Sequence, residues 1–316
     1  MRVAGPNAGH TVVGADGTRW PLRQVPVAAV ADPGCALYIA PGSEVDVNVL
    51  AEEVRSLDRA GYGVTQRLFI SPQATLLTPE HQQVENTLGI PFGGGNFGST
   101  KKGIGAARAD RIMRAARLYG DEPKSQLPVT LHGVTVGDPD LRVSGMSVLI
   151  EGTQGYGLGL HAGWYPYCTS SDARAVDFCA MAGLSPWQWE MDVWVCLRPY
   201  PIRIAGNSGP LFEETSWEEL GLPVEYTTVT HKPRRVGRWD PVLAQRAVSA
   251  NGGSLVNIAF TMADQVVPEI AGLSGVPTRG AYPGDNALAK WVNRIEGSTG
   301  ADVRLVGTGP NSMMEV

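Results

Sequence analysis

The chain has 316 residues, more than the ~250–300 at which a single hydrophobic core stops growing, so one large α/β domain or two closely joined ones is expected and a small zinc module is excluded. Apolar residues make up 43% and charged residues 18%, which excludes disorder, while 39 glycines and 23 prolines point to long ordered loops. With 26 basic against 31 acidic residues the net charge is −5, so no nucleic-acid or membrane partner is expected, and an anionic ligand requires a local basic cluster.

Apolar runs bounded by turn residues at 27–30, 36–40, 67–70, 147–150, 191–197, 255–260 and 303–306 predict buried strands. Helical spacing appears between some of them. Leu50, Val54 and Leu57 share one face of a segment that Gly61 can end, and Ala287, Trp291 and Ile295 share another before Gly297. Strands alternating with helices predict an α/β fold, a mainly parallel central sheet flanked by helices, within one domain spanning 1–316. Long loops at 91–105, 152–172 and 206–238 interrupt it, and loops of such length are usually functional. Cys35, Cys168, Cys179 and Cys196 lack metal-ligand spacing, and there is neither a leader pattern nor an apolar run of ~20 residues. A soluble protein of the reducing cytoplasm is expected.

Four segments carry candidate chemistry. Pro6-Asn7-Ala8-Gly9-His10-Thr11 reads either as a strand-end turn or as a loop presenting an imidazole and backbone groups to a ligand. Residues 93–105 follow, where glycines let backbone N–H groups approach phosphate and Ser99, Thr100, Lys101 and Lys102 add donors; the spacing is not that of a Walker A loop. The predicted helix beyond carries Arg108, Arg111, Arg114 and Arg117, each taken singly a solvated charge, with Arg111 and Arg114 on one side. Next, Glu151-Gly152-Thr153-Gln154-Gly155 runs from a strand into a glycine loop that ends in Tyr165-Pro166-Tyr167-Cys168-Thr169-Ser170-Ser171. No helix clearly follows the glycines, so a dinucleotide site is rejected, and His161 reads as a plain loop histidine. Last, Thr227, Thr228, Thr230, Lys232, Arg234, Arg235 and Arg238 gather in one loop able to trap a carboxylate or phosphate, which guanidinium forks bind bidentately.

In order and with matching gaps, these segments resemble the adenylosuccinate synthetase family. NAGHTV, GSTKKGIG, EGTQG with YPYCTSS, and the threonine-rich PRRVG loop are similar to the family's NNAGHTV, GTTxRGIGP, EGAQG…YPxVTSS and TTTGRxRRxGW, and 307–311 resembles its terminal GPD segment. The likeness spans essentially the whole chain. Pro6 and the stretch 201–210 look most like the archaeal and bacteriophage branch, whose phage members, known as PurZ, join L-aspartate to dGMP; cellular relatives act on IMP with GTP.

The resemblance implies a C–N ligase with the P-loop-like fold of that family. ATP or dATP would phosphorylate the purine 6-oxo group, and aspartate would then displace phosphate to give 2-amino-2'-deoxyadenylosuccinate from dGMP. It implies that His10 and Gln154 act at the 6-oxygen and that the Gly9 carbonyl holds Mg²⁺. Asn7, Ser99, Thr100 and Thr169 would bind the substrate 5′-phosphate, joined by Arg114 from the second subunit of a homodimer. Thr230, Lys232, Arg234 and Arg235 would bind aspartate, and Asp264, Gly309 and Pro310 would line the donor base. Three departures stand out. Family members carry a strand and a phosphate loop, GDEGKG or GSTGKG, ahead of NAGHT, and this chain begins too late to hold them, so its turnover is expected to be much reduced. Met262-Ala263-Asp264 lacks the family's guanine-reading lysine. Lys232 replaces an arginine, a point charge for a fork. Two alternatives stay open: ordinary synthesis from IMP, aspartate and GTP, and an N-terminally incomplete homologue that binds nucleotide with little activity. A phage-encoded enzyme would work in the host cytoplasm.

Overall fold

A computed structural model describes residues 1–87, 100–141, 146–228, 231–275 and 287–316. The chain divides into two compact units, Met1–Gln188 with Thr228, and Trp189–Thr227 with His231–Val316. Both are mixed α/β, and parallel pairing dominates their main sheets, as the alternation of strands and helices predicts.

In the first unit Leu37–Ile39, Leu68–Ile70 and Thr135–Val136 pair in parallel. Arg2 extends this sheet on the other side, bridging Ile39 and Glu151, again in parallel. Leu37, Ile39, Leu68 and Ile70 are buried, as strands covered on both faces require. The helix Val47–Arg59 turns Leu50, Ala51, Val54 and Leu57 into the core; Asp46 caps its first turn by accepting from the Asn48 and Val49 amides, and Gly61 follows its end in the left-handed region. An antiparallel hairpin, His10–Val13 with Arg19–Leu22, leads off from the first candidate segment.

Two predicted strands are absent. Residues 28–30 lie in the short helix Ala28–Ala31, with Val27 at its N-cap, because the segment is rich in alanine and follows Pro26, and helix propensity outweighs its apolar pattern. Residues 147–150 form no strand; the Met1 ammonium donates to the Leu149 carbonyl and the Glu151 amide to the Met1 carbonyl, so pairing starts only at Glu151.

In the second unit the order is Ser312–Glu315, Val303–Gly309, Asn257–Phe260, Trp194–Leu197, the last three parallel and the first antiparallel. Phe260 stacks on Trp291 with ring centroids 5.8 Å apart, and Trp239 meets the same ring edge-on at 6.0 Å. The helix Ala287–Thr299 runs through Gly297 rather than stopping there and is followed by Gly300 at φ 73°. Burial of Ile295 outweighs the ~1 kcal/mol cost of one interior glycine, and Leu288 and Ala289, not Ala287, begin the buried face. A small antiparallel sheet, Glu214–Thr215, Arg235–Gly237 and Ile202–Arg203, carries the basic loop. Among the described residues no helix is long and apolar enough to cross a membrane.

Candidate active site

Residues of the other three candidate segments meet the first, Gly5 to His10, within the first unit. A Cβ at Gly5 would lie 2.6 Å from Ile104 Cδ1 and 2.9 Å from Glu44 Oε2, and one at Gly9 would lie 2.7 Å from Thr228 Cβ. Only hydrogen fits at either place, which lets this loop touch both the helix after the second glycine loop and the threonine-rich segment. The Gly9 carbonyl accepts no hydrogen bond from the described residues.

His10 donates from Nε2 to the Val25 carbonyl at 2.8 Å, and the same nitrogen is 3.8 Å from Glu151 Oε1. Burial, and next the positive charge of Arg2, hold the imidazole below its ordinary range despite Glu151. Glu151 in turn accepts from Arg2 Nη1 at 2.6 Å and from the Val27 amide at 3.1 Å, while Arg2 Nη2 donates to the Ala8 carbonyl at 2.7 Å. The turn that carries Val25 is held from behind. Glu53 accepts from the Arg23, Gln24 and Val25 amides at 2.7, 3.0 and 2.9 Å, and burial pushes its carboxyl above the usual range despite those donors.

The helix Ile104–Met113 starts at Gly103, and the Glu85 carboxylate accepts from the Gly103 and Gly105 amides, both at 2.8 Å. Of the four arginines that the sequence places on it, Arg111, Arg114 and Arg117 are exposed, as a solvated face predicts, though Arg114 and Arg117 lie beyond its end and several are hydrogen-bonded. Arg108 binds Glu44 with two nitrogens at 2.6 and 3.2 Å, Arg111 donates to the Gln73 carbonyl at 3.0 Å, and Arg117 pairs with Glu122. Arg114, exposed and left-handed at φ 64°, has no ion-pair partner among the described residues. Thr100 and Asn7 are half-buried. Ser99 and Thr230 lie outside the described residues.

Gln154 is exposed, at φ 76°. The loop after it folds back on itself, the Thr169 amide donating to the Leu158 carbonyl and the Leu160 amide to the Ser171 carbonyl. His161 is a loop histidine, but one held by Asp172, which accepts from its Nδ1 at 2.5 Å and from its amide at 2.9 Å. Burial opposes ionisation of Asp172, yet these hydrogen bonds prevail and keep the carboxyl below its ordinary range.

In the second unit the Thr227 amide donates to the Lys232 carbonyl at 2.9 Å, closing a tight turn before the arginines. Arg235 is not open to a ligand in the way the sequence suggests. Its Nε and Nη2 bind Glu214, and its Nη1 donates to the Ser208 hydroxyl at 3.0 Å and the Gly209 carbonyl at 2.9 Å, so all three nitrogens are committed to the fold. The reason is position: Arg235 opens a strand beside Ile202–Arg203, whereas Arg234 precedes it. Arg234 has no ion-pair partner among the described residues, and burial lowers its guanidinium's affinity for a proton, with Arg198 adding to that and Glu225 opposing it. Asp264 sits in a 3-10 turn, Ala263–Gln265, entered through Met262 at φ 57°. Gly309 and Pro310 occupy the tip between Val303–Gly309 and Ser312–Glu315, and a Cβ at Gly307 would lie 3.2 Å from Thr261 Cα, so the tip strand and the Asp264 turn are neighbours.

Among the described residues, six non-glycines have positive φ: Lys101, Arg114, Gln154, Glu213, His231 and Met262. All fall in or beside segments singled out from the sequence, Glu213 within the long loop 206–238. Such conformations cost about 1–3 kcal/mol each and gather where function over-determines the backbone. Sequence reasoning missed Arg2 and Glu53 and took Glu151 only as part of its motif. An arginine two residues from the start and a half-buried glutamate mid-helix have no local pattern that marks them.

In the first unit a half-buried imidazole stands beside a carbonyl that accepts no hydrogen bond from the described residues, and in the second unit an arginine has no ion pair among the described residues. The sequence profile of the adenylosuccinate synthetase family matches residues 2–127 and 139–271. Adenylosuccinate synthetases of Pyrococcus horikoshii and Methanococcus vannielii are each 34% identical, over 309 and 313 residues, covering 97% of this chain and 86% of theirs. The chain belongs to the adenylosuccinate synthetase family and is a C–N ligase. Among solved structures, the succinoaminodeoxyadenylate synthetase (PurZ) of cyanophage S-2L, bound to dGMP and dATP as an energy donor, is similar at 31% identity and a TM-score of 0.76, covering 99% of this chain and 86% of that one. The fully ligated adenylosuccinate synthetase of Plasmodium falciparum has the same fold, with a TM-score of 0.76 at 20% identity, covering 100% of this chain and 92% of that one.

Proposed function

We propose that this ligase joins L-aspartate to C6 of dGMP, with ATP or dATP as donor, giving 2-amino-2'-deoxyadenylosuccinate. The observation that carries the reading is Met262-Ala263-Asp264: with methionine where the resembling families place a guanine-reading lysine, nothing at that position favours GTP, and the similar cyanophage protein is bound to dGMP and dATP. A second reading, IMP with GTP, draws support from the 34% identity to archaeal synthetases.

Oxide is too poor a leaving group for an amine to displace, so the γ-phosphoryl first passes to the purine 6-oxygen. The aspartate nitrogen then attacks C6, phosphate leaves with the C–O bonding pair, and the nitrogen gives up a proton. His10 acts at the 6-oxygen and the transferring group, its Nε2 N–H turning from the Val25 carbonyl to the ligand, and Gln154 contacts the purine edge. Asn7, Ser99, Thr100 and Thr169 bind the 5′-phosphate. Lys232, Arg234 and Thr230 bind aspartate, with Arg235 holding the loop in shape. Asp264, Gly309 and Pro310 line the donor base. Mg²⁺ would be held at the Gly9 carbonyl, an oxygen donor of the kind the ion takes, which accepts no hydrogen bond from the described residues. When bound, it would neutralise charge on the transferred phosphoryl group. A homodimer is part of the reading, since exposed Arg114 follows Ile112 and Met113, 76% and 74% exposed, a surface that suits a second copy.

A pocket built for a 2-amino group leaves a buried acceptor unpaired with IMP, costing roughly 1–3 kcal/mol, or about ten- to a hundredfold in kcat/KM. Comparing kcat/KM for dGMP, GMP and IMP against ATP, dATP and GTP is the test. IMP with GTP as the best pair would return the protein to ordinary adenylosuccinate synthesis.

A further inference from the structure

The mechanism assigned to His10 and Gln154 uses two loops from distant parts of the sequence, and the structure shows what joins them. Arg2 has no solvent exposure and spans the gap with two nitrogens, Nη2 to the Ala8 carbonyl just before Gly9 and His10, and Nη1 to Glu151, three residues before Gln154. The remaining link closes a ring. Glu151 accepts from the Val27 amide, and the Val25 carbonyl of the same turn accepts from His10. Stability alone does not explain this arrangement. Buried ion pairs are weakly stabilising after desolvation, and here Arg2 Nε stays buried without a partner.

We infer that Arg2, acting through Glu151, is a positioning residue: the buried pair fixes the spacing between the His10 loop and the Gln154 loop, and the purine monophosphate is gripped only at that spacing. The inference rests on the role proposed for Gln154. It predicts that Arg2 and Gln154 act on the ligand as one unit, whereas independent sites would act additively.

The experiment is a double-mutant cycle on dGMP affinity, measured calorimetrically with the whole protein and repeated with IMP. Arg2→Met combined with Glu151→Gln removes both charges, so neither is left buried alone. That pair of changes is expected to weaken binding about tenfold, Gln154→Ala to weaken it about tenfold, and all three together to weaken it little more than either. An additive loss of about a hundredfold, or native affinity once Arg2 and Glu151 are replaced, overturns the inference while leaving the role of Gln154 intact. Native affinity in Gln154→Ala alone overturns the site reading and the inference with it. Should the charge-free protein not fold, Arg2→Lys, which keeps the charge but one donor group only, takes its place in the cycle. A smaller loss, again non-additive with Gln154→Ala, is expected, and additivity there is equally decisive against it.

Discussion

The loop around His10 and the loop from Thr227 to Arg235 face the same problem, presenting polar groups to charged ligands, and solve it differently. Around His10 the anchors reach across the fold: Arg2 is fully buried, Glu151 and Glu53 are half-buried, and together they hold the backbone carbonyls and amides around the imidazole and the Gly9 carbonyl. In the second loop a local turn and one sacrificed arginine do the work. Arg235 spends its fork on Glu214 and on residues of 208–209, and Arg234 beside it has no ion pair among the described residues. The contrast teaches that a cluster of like residues need not be a cluster of like roles.

The sharpest way to break the comparison is His10→Asn. If His10 acts on the reacting oxygen while its anchors hold the loop, turnover falls by about 10²–10⁴-fold, with a melting temperature close to native. A large loss of melting temperature would make His10 one of the anchors instead. Arg234→Ala and Arg235→Ala come next. Arg234→Ala should raise the KM for aspartate about ten- to a hundredfold, the size expected for charged hydrogen bonds, and leave melting unchanged. Arg235→Ala should lower the melting temperature by a few degrees, reflecting about 1 kcal/mol for a partly exposed pair, and move KM less. Equal KM effects would erase the division of labour. Arg114 asks whether a third kind of anchor, from a second copy, completes the first loop's site. Mixing inactive Arg114→Ala with inactive His10→Asn should restore about a quarter of native activity, because half the dimers are mixed and each holds one intact site. No recovery in a protein that sediments as a dimer would confine each site to one chain.

The smallest effect concerns Glu53. Its folded pKa lies above the ordinary 4.5, so its contribution to stability is full below that value and is lost as pH rises through the raised one. Relative to Glu53→Gln, the native protein should lose roughly 1.4 kcal/mol for each unit of the rise between pH 4 and 7. Denaturant titrations of both proteins across that range check it, and parallel curves would show that the three amides fully compensate burial.

Much of this was legible where the signal is local. The periodic face of Val47–Arg59, the strands Leu37–Ile39, Leu68–Ile70 and Trp194–Leu197, and the order of the glycine loops follow from spacing and turn residues. Misreadings arose where two local rules compete, as at 27–30, where alanine-rich composition prevailed over an apolar run, or where packing tolerates a breaker, as at Gly297. Pairings such as Arg2 with Glu151 or Arg108 with Glu44 were not legible, because a single sequence carries no record of which distant charge will be neighbour to which.

The left-handed backbone at Lys101, Arg114, Gln154, His231 and Met262 has a consequence for anyone improving this enzyme. Glycine would relax each of these positions, so a screen that rewards heat resistance alone will accept glycine there, and Gln154→Gly would register as a success. The library would grow hardier while its members forgot their substrate. Selection for durability therefore has to be paired with selection for ligand, or those five positions held out of the search.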